Sequence, residues 1–244
     1  MVPSWTETLI EAGADVVGRT RFCIHPRERV KAIPAIGGTK DWNIEKVRAL
    51  KADLIVLDRE ENTREMGGLQ EFPLIVTHVQ SVMDMPVELK KLASQTGLKK
   101  LDEMSERFDA ILKPKLSPMD LADFPAVKEW IRPIQENQQI NTIVYMIWKN
   151  PWMAVSQQTF IGSMLERFAG PGKVLVTEAA YPKIIFENLN EDSTLLLFST
   201  EPFPFAKHTP EIRHLRFASA IVDGEKWSWF GIRSLRFLES FLAL

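Results

Sequence analysis

Strand and helix signals alternate strictly at both ends of this chain, and the stretch between them carries no strand signal. That pattern limits the fold more than any other feature. Five apolar runs read as buried strands: Asp53–Asp58, Pro73–Val79, Asn141–Trp148, Thr194–Ser199 and Phe217–Val222. Between most of them lie helical signals. Ile44, Val47 and Leu50 share one face behind a capping Asn43, and Phe160, Ile161, Met164, Leu165 and Phe168 form a stripe closed by Gly170. Strands separated by helices need crossover connections, which make a parallel sheet. The run Ser4-Trp5-Thr6-Glu7 reads as a capping box that opens a first helix, with Gly13 as its stop. Asp15–Thr20 and Val174–Thr177 read as short strands, Glu60–Glu71 as a polar helix, and Lys183–Leu189 as a short one.

The middle differs. Leu98, Leu101, Met104, Phe108, Ile111 and Leu112 give one amphipathic helix. Phe124, Val127, Trp130, Ile131 and Ile134 predict a second, with Pro125 in its first turn and Pro133 ending it. Lys113–Pro118 is a stiff connector. The expected organisation is an N-terminal α/β lobe over residues 1–83, a helical bridge over 84–139 and a C-terminal α/β lobe over 140–244.

Composition narrows the functional classes. Lys plus Arg number 30 against 32 Asp plus Glu, a net charge of −2, without the basic excess of a nucleic-acid binder. The longest apolar run, Ile143–Trp148, falls far short of the ~20 residues that span a bilayer. The single cysteine, Cys23, excludes a disulfide framework within the chain and reads as a small buried hydrophobe. No nucleophile elbow, P-loop, dinucleotide fingerprint or zinc-protease motif occurs. Gly37-Gly38-Thr39-Lys40 only faintly matches a phosphate loop, and the four histidines are scattered. The unusual feature is aromatic clustering at loop positions: Trp5, Phe22, Trp42, Trp148 with Trp152, Phe203 with Phe205, and Trp227 with Trp229 and Phe230. Most follow an expected strand, where ligands bind in open α/β sheets. For each residue, burial in a lobe core is the competing explanation.

A series of motifs in order along the chain resembles one family. It comprises Val2-Pro3-Ser4-Trp5-Thr6-Glu7-Thr8-Leu9, Val17-Gly18-Arg19-Thr20-Arg21-Phe22-Cys23, Gly37-Gly38-Thr39-Lys40 and Glu60-Glu61-Asn62. It continues with Ile147-Trp148-Lys149-Asn150-Pro151-Trp152, Glu201-Pro202-Phe203-Pro204-Phe205, and Asp223-Gly224-Glu225 followed by Trp229-Phe230-Gly231. Together these resemble the helical-backbone metal receptors, the substrate-binding proteins of ABC importers that include vitamin B12-binding and ferric-siderophore-binding members. The resemblance implies two Rossmann-like α/β lobes bridged by a long helix, with ligand in a cleft between the lobes. It implies a metal-bearing or macrocyclic cargo, a corrinoid first and haem or a ferric siderophore next, with no permanently bound cofactor and no metal site of the protein's own. The expected ligand set is Trp5, Arg21, Phe22, Thr39, Lys40, Glu60, Trp148, Trp152, Phe203, Trp229, Phe230 and Arg233, the last group all on the second lobe from Trp148 onward. Glu45 and Glu187 match the family's permease-docking glutamates.

The family's first strand is reduced here to Met1-Val2, and no leader precedes it in the chain as given. The resemblance points to a periplasmic or membrane-associated monomer, whereas the start of the chain keeps a cytoplasmic cofactor carrier open. A hydrolytic enzyme using Glu60 and Glu61 is the third reading, weakened by the absence of a partner at any recognisable spacing.

Overall fold

A computed structural model of the chain describes residues 1–114 and 117–242. In chain order the elements are α1 (Pro3–Ala12), α2 (Arg27–Val30), α3 (Ile44–Leu50), β1 (Ile55–Asp58), α4 (Arg64–Gly67), β2 (Leu74–Thr77), α5 (Met85–Thr96) and α6 (Lys99–Leu112). They continue as β3 (Val127–Arg132), β4 (Thr142–Trp148), β5 (Met153–Val155), α7 (Phe160–Ala169), β6 (Thr194–Ser199), α8 (Thr209–Ile212), β7 (Ala218–Val222), α9 (Gly224–Ser228) and α10 (Ile232–Leu242). The fold is α/β and divides into two compact units, Met1–Pro114 with Trp229–Leu244, and Lys115–Ser228. These boundaries differ from the expected ones. The stretch given to a helical bridge is shared, α5 and α6 falling in the first unit and β3 in the second, and the last helix returns to the first unit. Lys115 and Leu116 of the expected connector lie outside the described residues.

In the first unit β1 and β2 pair in parallel, Ile55 opposite Leu74 through Asp58 opposite Thr77. The expected strand at Asp15–Thr20 shrinks to one parallel bridge, Arg19 with Ala35. The amphipathic stripe of α6 is buried as its spacing dictates, with Leu101, Met104, Phe108, Ile111 and Leu112 all inward. It packs against α5, α1 and α10. Helix α1 starts one residue before the expected cap, with Pro3 in its first turn and no side-chain cap. Ser4 and Glu7 are therefore buried inside the helix instead of forming a capping box. Gly231 lets α10 approach α1: its φ is +81°, and a Cβ there would lie 2.1 Å from Thr8 Oγ1. That same hydroxyl accepts the Ile232 backbone N–H at 3.0 Å.

The second unit is built on a five-stranded sheet of order β3-β7-β6-β4-β5. The central β4, β6 and β7 run parallel, and the two edge strands pair antiparallel. β6 and β7 are buried along their whole length, as continuous apolar runs in a covered parallel sheet must be. Residues 127–132, expected as helix, form edge strand β3. Ala126 sits at φ +60°, outside any helix, and Pro133 closes the run after six residues. The apolar spacing there is met by pairing with β7 across two irregular registers. Val174–Thr177 contributes only a bridge to Ile143, Lys183–Leu189 a bridge from Lys183 to Met153 and the turn Phe186–Asn188, and Glu60–Glu71 only the single turn of α4. Helix α7 buries Phe160, Met164, Leu165 and Phe168 as its stripe requires, with Thr159 capping it through the Gly162 N–H at 3.0 Å.

Candidate functional site

Strands β4 and β6 end side by side, and the residues that follow them bear the aromatic surface of the second unit. Trp148, last in β4, is 43% exposed. Its ring meets the edge of Phe203, on the loop after β6, at 5.6 Å between centroids. Phe203 in turn lies 4.8 Å from the His208 ring. Trp152 plays another part. It stacks on the fully buried Phe205 at 5.9 Å and 6° and meets Phe186 and Phe198 edge-on, so it packs on the core below. Lys149 lies over the Trp152 ring at 5.7 Å and donates to Glu211, which also pairs with His208 Nδ1 at 3.1 Å. The Lys149 hydrogen bond, then that of His208, holds the Glu211 carboxyl below the usual glutamate range. This charged network beside the Phe203 and Trp152 rings was not visible in the sequence, because its members are brought together by the end of β4 and the α8 turn.

In the first unit Phe22 is exposed, at 48%, with the Arg21 guanidinium 4.9 Å from its ring centre. Arg21 also donates to both Asp41 oxygens, at 3.1 and 3.0 Å. Gly38 is needed for that contact, since a Cβ there would lie 2.0 Å from Asp41 Oδ1 and 2.8 Å from the Arg21 guanidinium. The Gly37-Gly38-Thr39-Lys40 turn is thus shaped by this ion pair. Thr39 is engaged through its carbonyl, which accepts from Asn62 Nδ2 at 2.7 Å, and Lys40 is exposed. At the end of β1 the carboxylate of Asp58, fully buried, accepts from Thr77 Oγ1 (2.6 Å) and from the backbone N–H groups of Glu60 (3.0 Å) and Val79 (3.1 Å). An acidic residue closing an apolar strand run was the available sign of this cluster. It fixes the turn that projects Glu60, whose carboxylate meets His78 Nε2 at 3.0 Å and Gln80 Nε2 at 3.3 Å. Beside it Asp58, Arg59, Asn62 and Arg64 line a concavity of about 570 Å³.

Four of the expected ligand residues are placed elsewhere. Trp5 is 0% exposed, donates Nε1–H to Thr77 Oγ1 at 2.8 Å and meets Phe230 edge-on at 5.0 Å. Both rings are core residues of the first unit, buried because α1 crosses the end of the β1–β2 pair. Trp229 belongs to the first unit, not to the second with Trp148 and Trp152. It is 8% exposed, edge-on to His25 at 5.3 Å, with the Arg233 guanidinium over its ring at 5.0 Å. Arg233 forms a bidentate pair with the buried Glu7, Nε to Oε2 at 2.9 Å and Nη2 to Oε1 at 2.8 Å. The polar anchor expected for a ligand is therefore joining α10 to α1. Glu45 is exposed at the start of α3 and paired with Arg48, which also holds Glu71 through two bonds. Glu187 is exposed in the turn Phe186–Asn188. Among the described residues no cluster of three or more His, Cys, Asp or Glu is arranged to hold a metal ion, and no helix is long and apolar enough to cross a membrane.

Comparison with known structures defines the fold. The chain superposes on the periplasmic vitamin B12-binding protein BtuF of Vibrio cholerae with a TM-score of 0.68 at 15% identity, covering 98% of this chain and 92% of that one. An ABC transporter substrate-binding protein from Listeria monocytogenes matches with a TM-score of 0.71 at 13% identity, over 98% and 94% of the two chains. IsdE of S. aureus, solved with heme, matches with a TM-score of 0.70 at 15% identity, over 99% and 95%. The fold is that of the helical-backbone metal receptors, to which the sequence motifs are similar. The neighbours are binding proteins, and those named for a ligand are named for vitamin B12, heme or a ferric siderophore. No protein-family model and no curated protein sequence matches the chain.

Proposed function

We propose that this protein is the substrate-binding component of an ABC importer, acting outside the inner membrane and capturing a metal-bearing macrocycle, a corrinoid before haem or a ferric siderophore. The observation that carries the reading is the Trp148–Phe203 pair, an exposed tryptophan closing β4 against a half-buried phenylalanine on the loop after the parallel neighbour β6. Solvent-facing aromatic rings fixed by a rigid sheet offer a flat apolar ligand area at little cost in side-chain entropy. Phe22, with Arg21 beside it, gives the first unit a similar exposed ring. The ligand brings its own metal, so the protein acts by burial and orientation. Glu45 and Glu187, one exposed carboxylate on each unit, suit docking to basic residues of a permease. Absorbance titration with cyanocobalamin, haemin and a ferric hydroxamate tests the proposal. One of them is expected to give a saturable spectral change that Trp148→Ala weakens, and no change with any of them would overturn it.

A further inference from the structure

The parallel strands of the second unit give its sheet two unlike edges. One carries Trp148 and the Phe203 loop, where the strands end. At the other, where they begin, lies an open concavity of about 770 Å³. Its floor is the buried Ala218, and its walls come from the loop between β3 and β4 and the turn before β6. Two arginines line it, Arg132 at the end of β3 and Arg216 two residues before β7. The antiparallel pairing of β3 with β7, Arg132 opposite Ser219, brings both to this edge. Among the described residues neither guanidinium has an ion-pair or side-chain hydrogen-bond partner, whereas Arg213 of the same unit reaches Glu129 at 3.3 Å. Asp192 lines the groove but lies beyond ion-pair distance of both arginines. Most of the remaining wall is uncharged and polar, with Gln138 and Asn141 among its amides.

Two like charges in one groove repel each other, and each guanidinium presents a fork of donors that fits two anionic oxygens. We propose that this groove binds a small polyanion, one anionic group to each arginine, with the amides solvating the remaining oxygens. Polycarboxylates and phosphate esters share that chemistry. The volume lies within the range of about 300–1,000 Å³ typical of small-ligand sites, and the polar wall suits a hydrated anion better than a macrocycle. The inference stands independently of the transport reading, since it uses the opposite edge of the sheet.

Isothermal titration of the full chain at low ionic strength, with citrate in one arm and pyrophosphate in the other, tests it. Saturable binding of at least one anion is expected, and the arm that binds identifies carboxylate or phosphate as the preferred group. Arg132→Gln and Arg216→Gln should each weaken it about tenfold or more, and together abolish it. Asp192→Asn should tighten it several-fold, and Trp148→Ala should leave it unchanged. Should the glutamine variants melt early, the Arg132→Lys/Arg216→Lys pair keeps the charge, loses the fork and should still bind several-fold more weakly. No saturable binding of either anion, or a double variant that binds as the parent does, would overturn the proposal.

Discussion

Replacing Arg233 by methionine separates the two roles this residue can have. As a ligand anchor it would contribute to affinity and little to stability. The structure places its guanidinium on Glu7 through two bonds of 2.9 and 2.8 Å, with the Glu7 side chain 8% exposed and that of Arg233 20% exposed. At about 4 Å between charge centres and an effective dielectric of about 20, the attraction is about 4 kcal/mol before desolvation is subtracted. The loss on substitution is governed by what remains: a buried carboxylate without its partner, for which about 3–5 kcal/mol is typical. Partial exposure of the arginine, which lets water reach the carboxylate, brings the expectation to about 2–4 kcal/mol. Methionine retains the stem that packs beside Trp229 but loses the cation over its ring, a smaller part of the change. At 2–4 °C per kcal/mol for a chain of this size, the melting temperature should fall by roughly 4–16 °C. Glu7→Gln in the Arg233→Met background should recover part of the loss, so a double-mutant cycle in urea should show a coupling of at least ~1 kcal/mol. An Arg233→Met protein that melts with the parent while losing its ligand would refute the structural role and restore the anchor.

Trp148→Ala should weaken ligand binding about tenfold, read by absorbance titration, while changing stability by less than ~1 kcal/mol, because its ring is 43% exposed and packs on Phe203 alone among the ring pairs described. Gly231→Ala should destabilise by at least ~2 kcal/mol in a thermal melt, since it forces a side chain at φ +81° into the Thr8 hydroxyl that joins α1 to α10. The Glu211 carboxyl, depressed by Lys149 and His208, stabilises the fold above its unfolded titration range, and this contribution is lost as pH falls through its lowered folded value. Lys149→Met should therefore move the Glu211 titration upward in a carboxyl-carbon NMR experiment, and an unmoved midpoint would show that the pair does not form.

The elements with a strong local period were legible in the sequence. The stripes of α6 and α7 need one buried face, which a period of 3.6 residues supplies, and the continuous apolar runs of β1, β4, β6 and β7 suit strands covered on both faces. The resemblance of the motifs to the helical-backbone metal receptors carried the fold as a whole. Tertiary structure decided the features whose partners lie far along the chain. Residues 127–132 have apolar spacing that suits a helix, yet they become an edge strand because β7 offers unpaired backbone groups beside them. Trp5 and Trp148 are equally aromatic and equally close to a turn. One is buried because α1 delivers it to Thr77, the other exposed because β4 ends beneath it. Trp227 and Trp229 are two residues apart, yet Trp227 stacks on Phe124 at 5.3 Å in the second unit while Trp229 packs on His25 in the first. Arg233 meets Glu7 across 226 positions of sequence. Side-chain type and spacing determine which surfaces must be buried, but only the folded chain determines which partner buries them, because that choice is made by long-range contacts that no local window contains.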